Sequence, residues 1–468
     1  MFIGRERELA ALEKLYSEKS FQMVVLYGRR RIGKTTLISK FIADKPAIFF
    51  TAQEVNDALN LNRFSKKIYG FFDVPESTGA FGSWNDAFEF LVEKARERQF
   101  VLAFDEFPYA AAANRSLRSV LQTAIDHGFK STDLFLILCG SHIGFMVNEV
   151  LGYKSPLFGR RTAQIKLEGF DYYDAGKMLH SFSNEDKIKL YACVGGTPHY
   201  LAQIKAGESF EENIKRLFFD MSGYMYNEPM MLLQQELREP AMYNSIIAAI
   251  AGGASRLNEI ATKIGEDSTK VSKYLQTLME LQIVSKIYPF GDNPGNSRRG
   301  IYRIADNCYE FWYSFVFLNR PEIESGSGDI VAAEEAFGEK LAAYVGKPPF
   351  ETVCLQYLYR ANRSGKLPFT ATSFGAWWGT DPRKKAQADF DVIAANRAEK
   401  QVVLGECKWR SGVNAAAELQ KLAAKDHLLS EYKDRHYYLF TKEPSGLSGS
   451  KQENATLIST DALFNFDM

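Results

Sequence analysis

The feature that most constrains this 468-residue chain is the run Gly28-Arg29-Arg30-Arg31-Ile32-Gly33-Lys34-Thr35, set directly behind the apolar stretch Met23-Val24-Val25-Leu26-Tyr27. It fits GxxxxGK[ST], and the helical spacing from Thr35 to Ala43 supplies the strand–loop–helix setting that the pattern requires. Glycine at both ends lets the backbone N–H groups curl toward an anion, while the following helix turns its N-terminus to the same point. Such a loop is expected to cradle a nucleoside triphosphate along Gly28 to Thr36, with Lys34 on the β- and γ-phosphates and the Thr35 hydroxyl on Mg²⁺. A loop of this kind also fixes the surrounding architecture. Apolar runs at Ala47–Phe50, Phe100–Phe104 and Leu134–Leu138 alternate with helical stretches, the pattern of a parallel sheet covered on both faces.

The loop needs an acidic partner, and Phe100-Val101-Leu102-Ala103-Phe104-Asp105-Glu106 provides one. A buried strand ending in two acids is expected to set Asp105 beside the Mg²⁺ and Glu106 within one hydrogen bond of the attacking water. A further apolar strand ends at Ser141, placed either to sense the γ-phosphate or to close a turn. Arg160 and Arg161 follow, candidates for an arginine finger acting in cis or across a homo-oligomer interface, or for a solvated pair. Gly195-Gly196-Thr197-Pro198 lies between helices and reads at least as a stiff turn.

These segments occur in a telling order. Phe2-Ile3-Gly4-Arg5-Glu6-Arg7-Glu8-Leu9, the phosphate loop, Phe104-Asp105-Glu106, Leu157-Phe158-Gly159-Arg160 and Gly195-Gly196-Thr197-Pro198 together resemble the prokaryotic "archaeal ATPase" family, a STAND-type branch of the AAA+ class. The resemblance implies that Gly4, Arg5 and Pro198 lie near the adenine and that Ser141 is a sensor. It also implies ATP as ligand, and a chain that continues into a winged helix and a C-terminal domain similar to restriction endonucleases.

Composition limits the partners. Lysine plus arginine equals aspartate plus glutamate at 57 each, so a nucleic-acid surface must be a local patch rather than a global field. The five cysteines are scattered without CxxC spacing, which argues against a disulfide framework or a zinc site, and the six histidines form no ligand-spaced pair. No apolar run is long enough to span a bilayer and the N-terminal residues carry no signal-like segment, so a cytoplasmic protein without membrane contact is expected.

Four domains and a connector are expected: an α/β ATPase domain over 1–165, a helical lid over 166–237, a winged helix over 238–320, a Gly/Ser-rich linker over 321–334 and an α/β nuclease-like domain over 335–468. In the middle, a short helix Leu257–Ile264 precedes Ser268–Leu281, whose Val271, Leu275 and Leu278 share one face. That leaves Lys270 and Lys273 outward, as in a recognition helix, and the following ribbon carries Lys286, Arg298, Arg299 and Arg303. Lys270, Lys273, Arg298 and Arg299 are therefore candidate DNA contacts, although winged helices also serve as packing modules.

In the last domain Phe390–Ala395 and Gln401–Cys407 read as hairpin strands, turned at Asn396–Lys400, with a helix and another strand behind them. Asp391 and Glu406 would then lie close together, a pair suited to Mg²⁺, with Lys408 one pleat beyond Glu406 and Glu351 on a preceding helix. The order resembles the PD-(D/E)xK nuclease superfamily, which implies that Glu351, Asp391, Glu406 and Lys408 form its acid–lysine core. Phe390 stands where that motif has proline. The functional expectation is ATP hydrolysis driving or gating action on nucleic acid, with an ATP-regulated nuclease as one form and an ATP-gated DNA- or protein-binding switch as the other.

Overall fold

The computed structural model describes residues 2–443 and 454–466. The chain separates into two compact units, the first ending at Gly169 and the second starting at Phe170.

The first unit is built on five parallel strands: β1 (Gln22–Tyr27), β2 (Ala47–Thr51), β3 (Val101–Asp105), β4 (Phe135–Gly140) and β5 (Ala163–Lys166). Their order is β2-β3-β4-β1-β5. Strands β1, β3 and β4 are buried along their whole length, as expected of a sheet covered on both faces, and their sequences are accordingly continuous apolar runs rather than alternating ones. One face packs on Phe64, Trp84 and Phe88, the other on Leu12, Leu37, Ile38 and Phe41. Since β4 lies between β1 and β3, the residues that leave the C-terminal ends of all three strands are gathered at one edge of the sheet. Those are the phosphate loop, Glu106 and Ser141. In open α/β sheets, ligands bind at such a crevice outside the carboxyl ends of the strands.

The second unit begins with helices Tyr172–Met178, Asn184–Val194, Pro198–Leu201, Phe210–Ile214 and Glu228–Glu236. Three helices, Pro240–Ala251, Leu257–Ile264 and Ser268–Glu280, then lead into an antiparallel pair, β6 (Val284–Ile287) and β7 (Ile301–Ile304). After helix Pro349–Arg363 comes a second five-stranded sheet made of β8 (Ser373–Asp381), β9 (Ala386–Asn396), β10 (Gln401–Lys408), β11 (Asp434–Thr441) and β12 (Ala455–Ser459). Its order is β12-β11-β10-β9-β8, antiparallel from β8 to β10 and parallel from β10 to β12. Helix Ala415–Ala423 provides the crossover between β10 and β11, as a parallel connection requires.

The segment over 321–334, read from sequence as a linker, is not extended: it is helical over Arg320–Glu322, Ile323–Ser327 and Gly328–Glu335, with a break at Gly326 (φ 94°). Ile323 is 2% exposed, and a Cβ on Gly328 would lie 2.0 Å from the Phe219 carbonyl oxygen. The Gly/Ser composition thus serves close backbone packing rather than flexibility. Nor does a core boundary appear at this point: one apolar cluster runs from Tyr172 through Trp312 to Phe350 and Phe440.

Gly196 illustrates the same use of glycine. Its carbonyl accepts from Phe170 N at 2.7 Å, and a Cβ there would sit 1.9 Å from the Phe170 oxygen. Gly196→Ala should therefore lower stability by about 1–3 kcal/mol, the usual cost of forced overpacking. Urea denaturation of the variant against the parent chain measures it.

Candidate functional site

The phosphate loop adopts the backbone that its sequence implies. Gly33 has φ 91° and Arg31 φ 68°, both left-handed, and helix Lys34–Ile42 starts immediately after them. Gly28 is required for a separate reason, since a Cβ there would lie 2.4 Å from the Leu167 carbonyl oxygen. Lys34 is buried, and its Nζ donates to the carbonyls of Gly28 and Arg29 at 2.9 Å each, folding the ammonium back over the loop it serves. Thr35 Oγ1 donates to Asp105 Oδ2 at 3.2 Å, so a hydroxyl in the first turn of the helix after β1 meets the carboxylate ending β3 across the intervening strand β4. A hydroxyl and a carboxylate side by side form a hard oxygen donor pair of the kind Mg²⁺ takes together with triphosphate oxygens. The fold thus brings Thr35 and Asp105 together.

Glu106 sits in the left-handed region at φ 49°, a strained position for a residue with a Cβ. Its Oε2 accepts from Ser141 Oγ at 2.9 Å and from Ser141 N at 3.2 Å. Ser141 therefore does more than close a turn: it holds the carboxylate of Glu106. Behind them Cys139 is completely buried, and burial, followed by the Asp105 charge, pushes its thiol well above the usual cysteine range. It acts as a small apolar filler.

Arg5 braces the loop: its guanidinium donates to the carbonyls of Ile32 (3.2 Å) and Glu168 (2.5 Å), tying the phosphate loop to the last residues of the unit. Both Gly4 and Arg5 have positive φ, which sets the entry angle that aims this side chain at the loop. Arg30 donates to the Tyr109 hydroxyl at 2.9 Å. Pro198 opens its short helix in the second unit.

Arg160 is engaged within its own unit. Its Nε donates to both Asp126 oxygens at 3.1 and 3.0 Å, and Nη1 donates to the carbonyls of Pro156 and Phe158. Hydrogen bonding to Arg160, then to Lys130, holds the Asp126 carboxyl down at about 2.

In the second unit, the acids singled out from sequence share one neighbourhood of the β8–β12 sheet. Asp391 Oδ2 accepts from Cys407 N at 2.8 Å, across the β9–β10 pair. Glu406 takes Lys408 on Oε1 at 2.5 Å and Lys425 on Oε2 at 3.0 Å, while Glu351 meets Lys347 at 3.2 Å. Burial raises the Asp391 carboxyl to about 7, helped by the neighbouring charges of Glu406 and Glu351. Burial alone would raise Glu406 too, but Lys425 and Lys408 hold it below its ordinary value. Sequence reasoning missed Lys347 and Lys425, because the ammonium partners come from a loop before one helix and a turn after another. The expected metal cage is not assembled: among the described residues, no group of three or more His, Cys, Asp or Glu side chains is arranged to hold a metal ion.

The candidate DNA contacts divide. Lys270 pairs with Glu266 at 3.0 Å, and Lys273 and Arg298 are exposed. Arg299 donates to Asp292 at 3.0 Å and to the Trp378 carbonyl at 3.3 Å, and so faces the β8 strand as well as solvent.

Comparison with known proteins agrees with this geometry. Residues 2–204 match an ATPase domain predominantly from Archaea, and residues 312–422 match a domain of archaeal and bacterial proteins of unknown function. An uncharacterised protein of Methanocaldococcus jannaschii, MJECL04, is 30% identical over 412 residues, covering 88% of each chain. The chain belongs to this family of predominantly archaeal ATPases. A second M. jannaschii protein, the uncharacterised ATP-binding protein MJ0423, is 49% identical over 45 residues, 10% of this chain and 76% of its own. The fold resembles that of the Walker-type ATPase PABY2304 of Pyrococcus abyssi, with a TM-score of 0.52 at 20% identity, over 67% of this chain and 96% of the other. No helix among the described residues of the ATPase is long and apolar enough to cross a membrane.

The Asp126–Arg160 pair gives this family member a measurable acid limb. A carboxyl held below its ordinary value contributes stability that is present above the unfolded-state pKa near 4 and is lost as pH falls through about 2. Thermal melts of the parent chain and Asp126→Asn should differ at neutral pH and converge toward pH 2.

Proposed function

We propose that the N-terminal unit binds ATP with Mg²⁺ and hydrolyses it, and that this cycle gates action of the second unit on nucleic acid. The observation that carries the first half is the convergence, at the ends of three adjacent strands, of a phosphate loop, the Thr35–Asp105 pair and a Glu106 carboxylate held by Ser141. The ATP-binding description of the M. jannaschii relative supports the choice of nucleotide.

In this reading the backbone N–H groups between Gly28 and Thr35 bind the β- and γ-phosphates, and Lys34 exchanges its two loop carbonyls for phosphate oxygens. Thr35 and Asp105 hold the Mg²⁺, which when bound neutralises phosphate charge in the transition state. Glu106 orients and deprotonates the attacking water once its carboxylate is released from the Ser141 hydroxyl. Arg160 becomes a finger only if it leaves Asp126, whether in cis or toward a second copy. Gly4 completes the nucleotide surface on the strength of the family resemblance.

For the second unit, the three helices followed by the β6–β7 ribbon are read as a winged helix, and helix Pro349–Arg363 with β8–β12 as a nuclease-like core. The strand order and the placement of Glu351, Asp391, Glu406 and Lys408 support a phosphodiester-acting ancestry. A binding role without cleavage is supported by a separate observation: ammonium groups, not a cation cage, answer the carboxylates of Glu351 and Glu406.

Phosphate release measures the first half. Lys34→Ala should abolish magnesium-dependent ATP turnover, and Glu106→Gln should retain nucleotide binding while lowering turnover by about a hundredfold or more. Turnover unaffected by Lys34→Ala would sink the reading.

Plasmid nicking decides between the forms of the second half. A nuclease should nick supercoiled DNA with Mg²⁺ or Mn²⁺ and lose nicking in Asp391→Ala and Glu406→Ala. Intact plasmid in every nucleotide state identifies the binding switch.

A further inference from the structure

The β8–β9 hairpin turns through Asp381-Pro382-Arg383-Lys384-Lys385. Its three cations are exposed, and among the described residues none of them forms an ion pair. Three like charges in sequence repel one another and are usually left to flex in solvent, but here the turn is fixed from beneath. Asp381 is 1% exposed; its Oδ1 accepts from Arg383 N at 2.8 Å, from Lys384 N at 3.3 Å and from the His427 ring at 3.1 Å. A buried carboxylate therefore anchors the backbone that presents the cations.

The β6–β7 ribbon is fastened to the same hairpin. Phe290 N donates to the Ala376 carbonyl at 2.7 Å, the Phe290 ring packs into the core that includes Trp377 and Phe390, and Arg299 reaches the Trp378 carbonyl. Arg298, the neighbour of Arg299, is exposed and has no ion pair among the described residues. Two cationic tips far apart in sequence are thus held on one strand edge. That edge leads to the acid–lysine cluster: Trp378 lies opposite Asp389, two residues before Asp391, and Lys385 is four residues before Asp389, about 13 Å along an extended strand.

We infer that Arg383, Lys384 and Lys385 form, with Arg298 and Arg299, a single ridge that binds the phosphate backbone of duplex DNA and leads it toward the acid–lysine cluster. This rests on the nucleic-acid reading above and adds to it the surface that performs the binding. Cations presented by an anchored turn and a neighbouring ribbon suit a repeating phosphate array, whereas specificity would lie elsewhere, since backbone contacts position a duplex without reading it. The chain's zero net charge strengthens the inference, because attraction of a polyanion must come from a local concentration of this kind.

The test uses the full chain and a fluorescein-labelled DNA duplex, with anisotropy followed over a salt series in the presence of a non-hydrolysable ATP analogue. The parent should bind with a steep logarithmic salt dependence. The triple variant Arg383→Gln/Lys384→Gln/Lys385→Gln should bind about tenfold to a hundredfold more weakly at 0.1 M salt, with a slope reduced by about 2–3 for the lost phosphate contacts. Arg298→Gln should lower the slope by about 1. The variants change exposed side chains only, and an unchanged melting temperature verifies their folding. Parent-like affinity and slope in the triple variant overturn the ridge while leaving the nucleic-acid reading intact. Failure of the parent to bind DNA even at low salt, or its binding to anionic phospholipid vesicles instead, overturns both.

Discussion

The 3.2 Å contact between Thr35 and Asp105 depends on the whole of the first unit being folded in one way. Thr35 starts the helix after β1 and Asp105 ends β3, and the two strands are not neighbours, because β4 runs between them. Only a parallel sheet with its strand ends aligned places those two side chains together. The apolar runs in β1, β3 and β4 are what align them, since strands buried on both faces leave little freedom of register. Every further element of the nucleotide site is arranged around this point. Ser141 leaves the intervening strand and takes Glu106, while Arg5 ties the loop to the chain's exit at Glu168.

That exit bears on how a nucleotide signal could leave the unit. Leu167 N donates to the carbonyl of Tyr27 at 2.7 Å, and the Leu167 carbonyl occupies the space that a Cβ on Gly28 would need. The start of the phosphate loop and the final residues of the unit are therefore in direct backbone contact. These contacts lie immediately before the chain passes into the second unit at Phe170. The contact needs no relay of side chains. It follows from β5 lying beside β1.

Much of this was legible in the sequence because the chemistry is local. The phosphate loop is one contiguous motif, and the β3 acids directly follow their strand. The hairpin carrying Asp391, Glu406 and Lys408 was likewise readable from two apolar runs separated by Asn396–Lys400, and its strands fall close to the expected bounds. What was not legible depends on side chains meeting across distance. The Lys347 and Lys425 partners of the acids come from other elements, as does the Asp126 partner of Arg160. The Gly/Ser-rich segment near residue 326 failed as a predictor for the opposite reason. Its composition signals flexibility, while the burial of Ile323 and the close packing of Gly328, which hold it helical, are tertiary facts.

The two acid sites resolve the same physical problem differently. A carboxylate removed from water must be hydrogen-bonded, paired or protonated. Glu106 takes the first course, held by a neutral hydroxyl and a backbone N–H, an arrangement that is easily exchanged for water because no charge pair is broken. Glu406 takes the second, gripped by two ammonium groups, while Asp391 beside it accepts from the Cys407 N–H and is pushed by burial toward the third, its carboxyl raised to about 7. Breaking a partly buried ion pair costs more than releasing a neutral hydrogen bond, because each charge left behind lacks a partner. The Glu106 arrangement can accordingly rearrange with small side-chain movements. In the second-unit cluster Lys347, Lys408 and Lys425 are held by carboxylates, and on the nucleic-acid reading we propose, a phosphate backbone would draw them away.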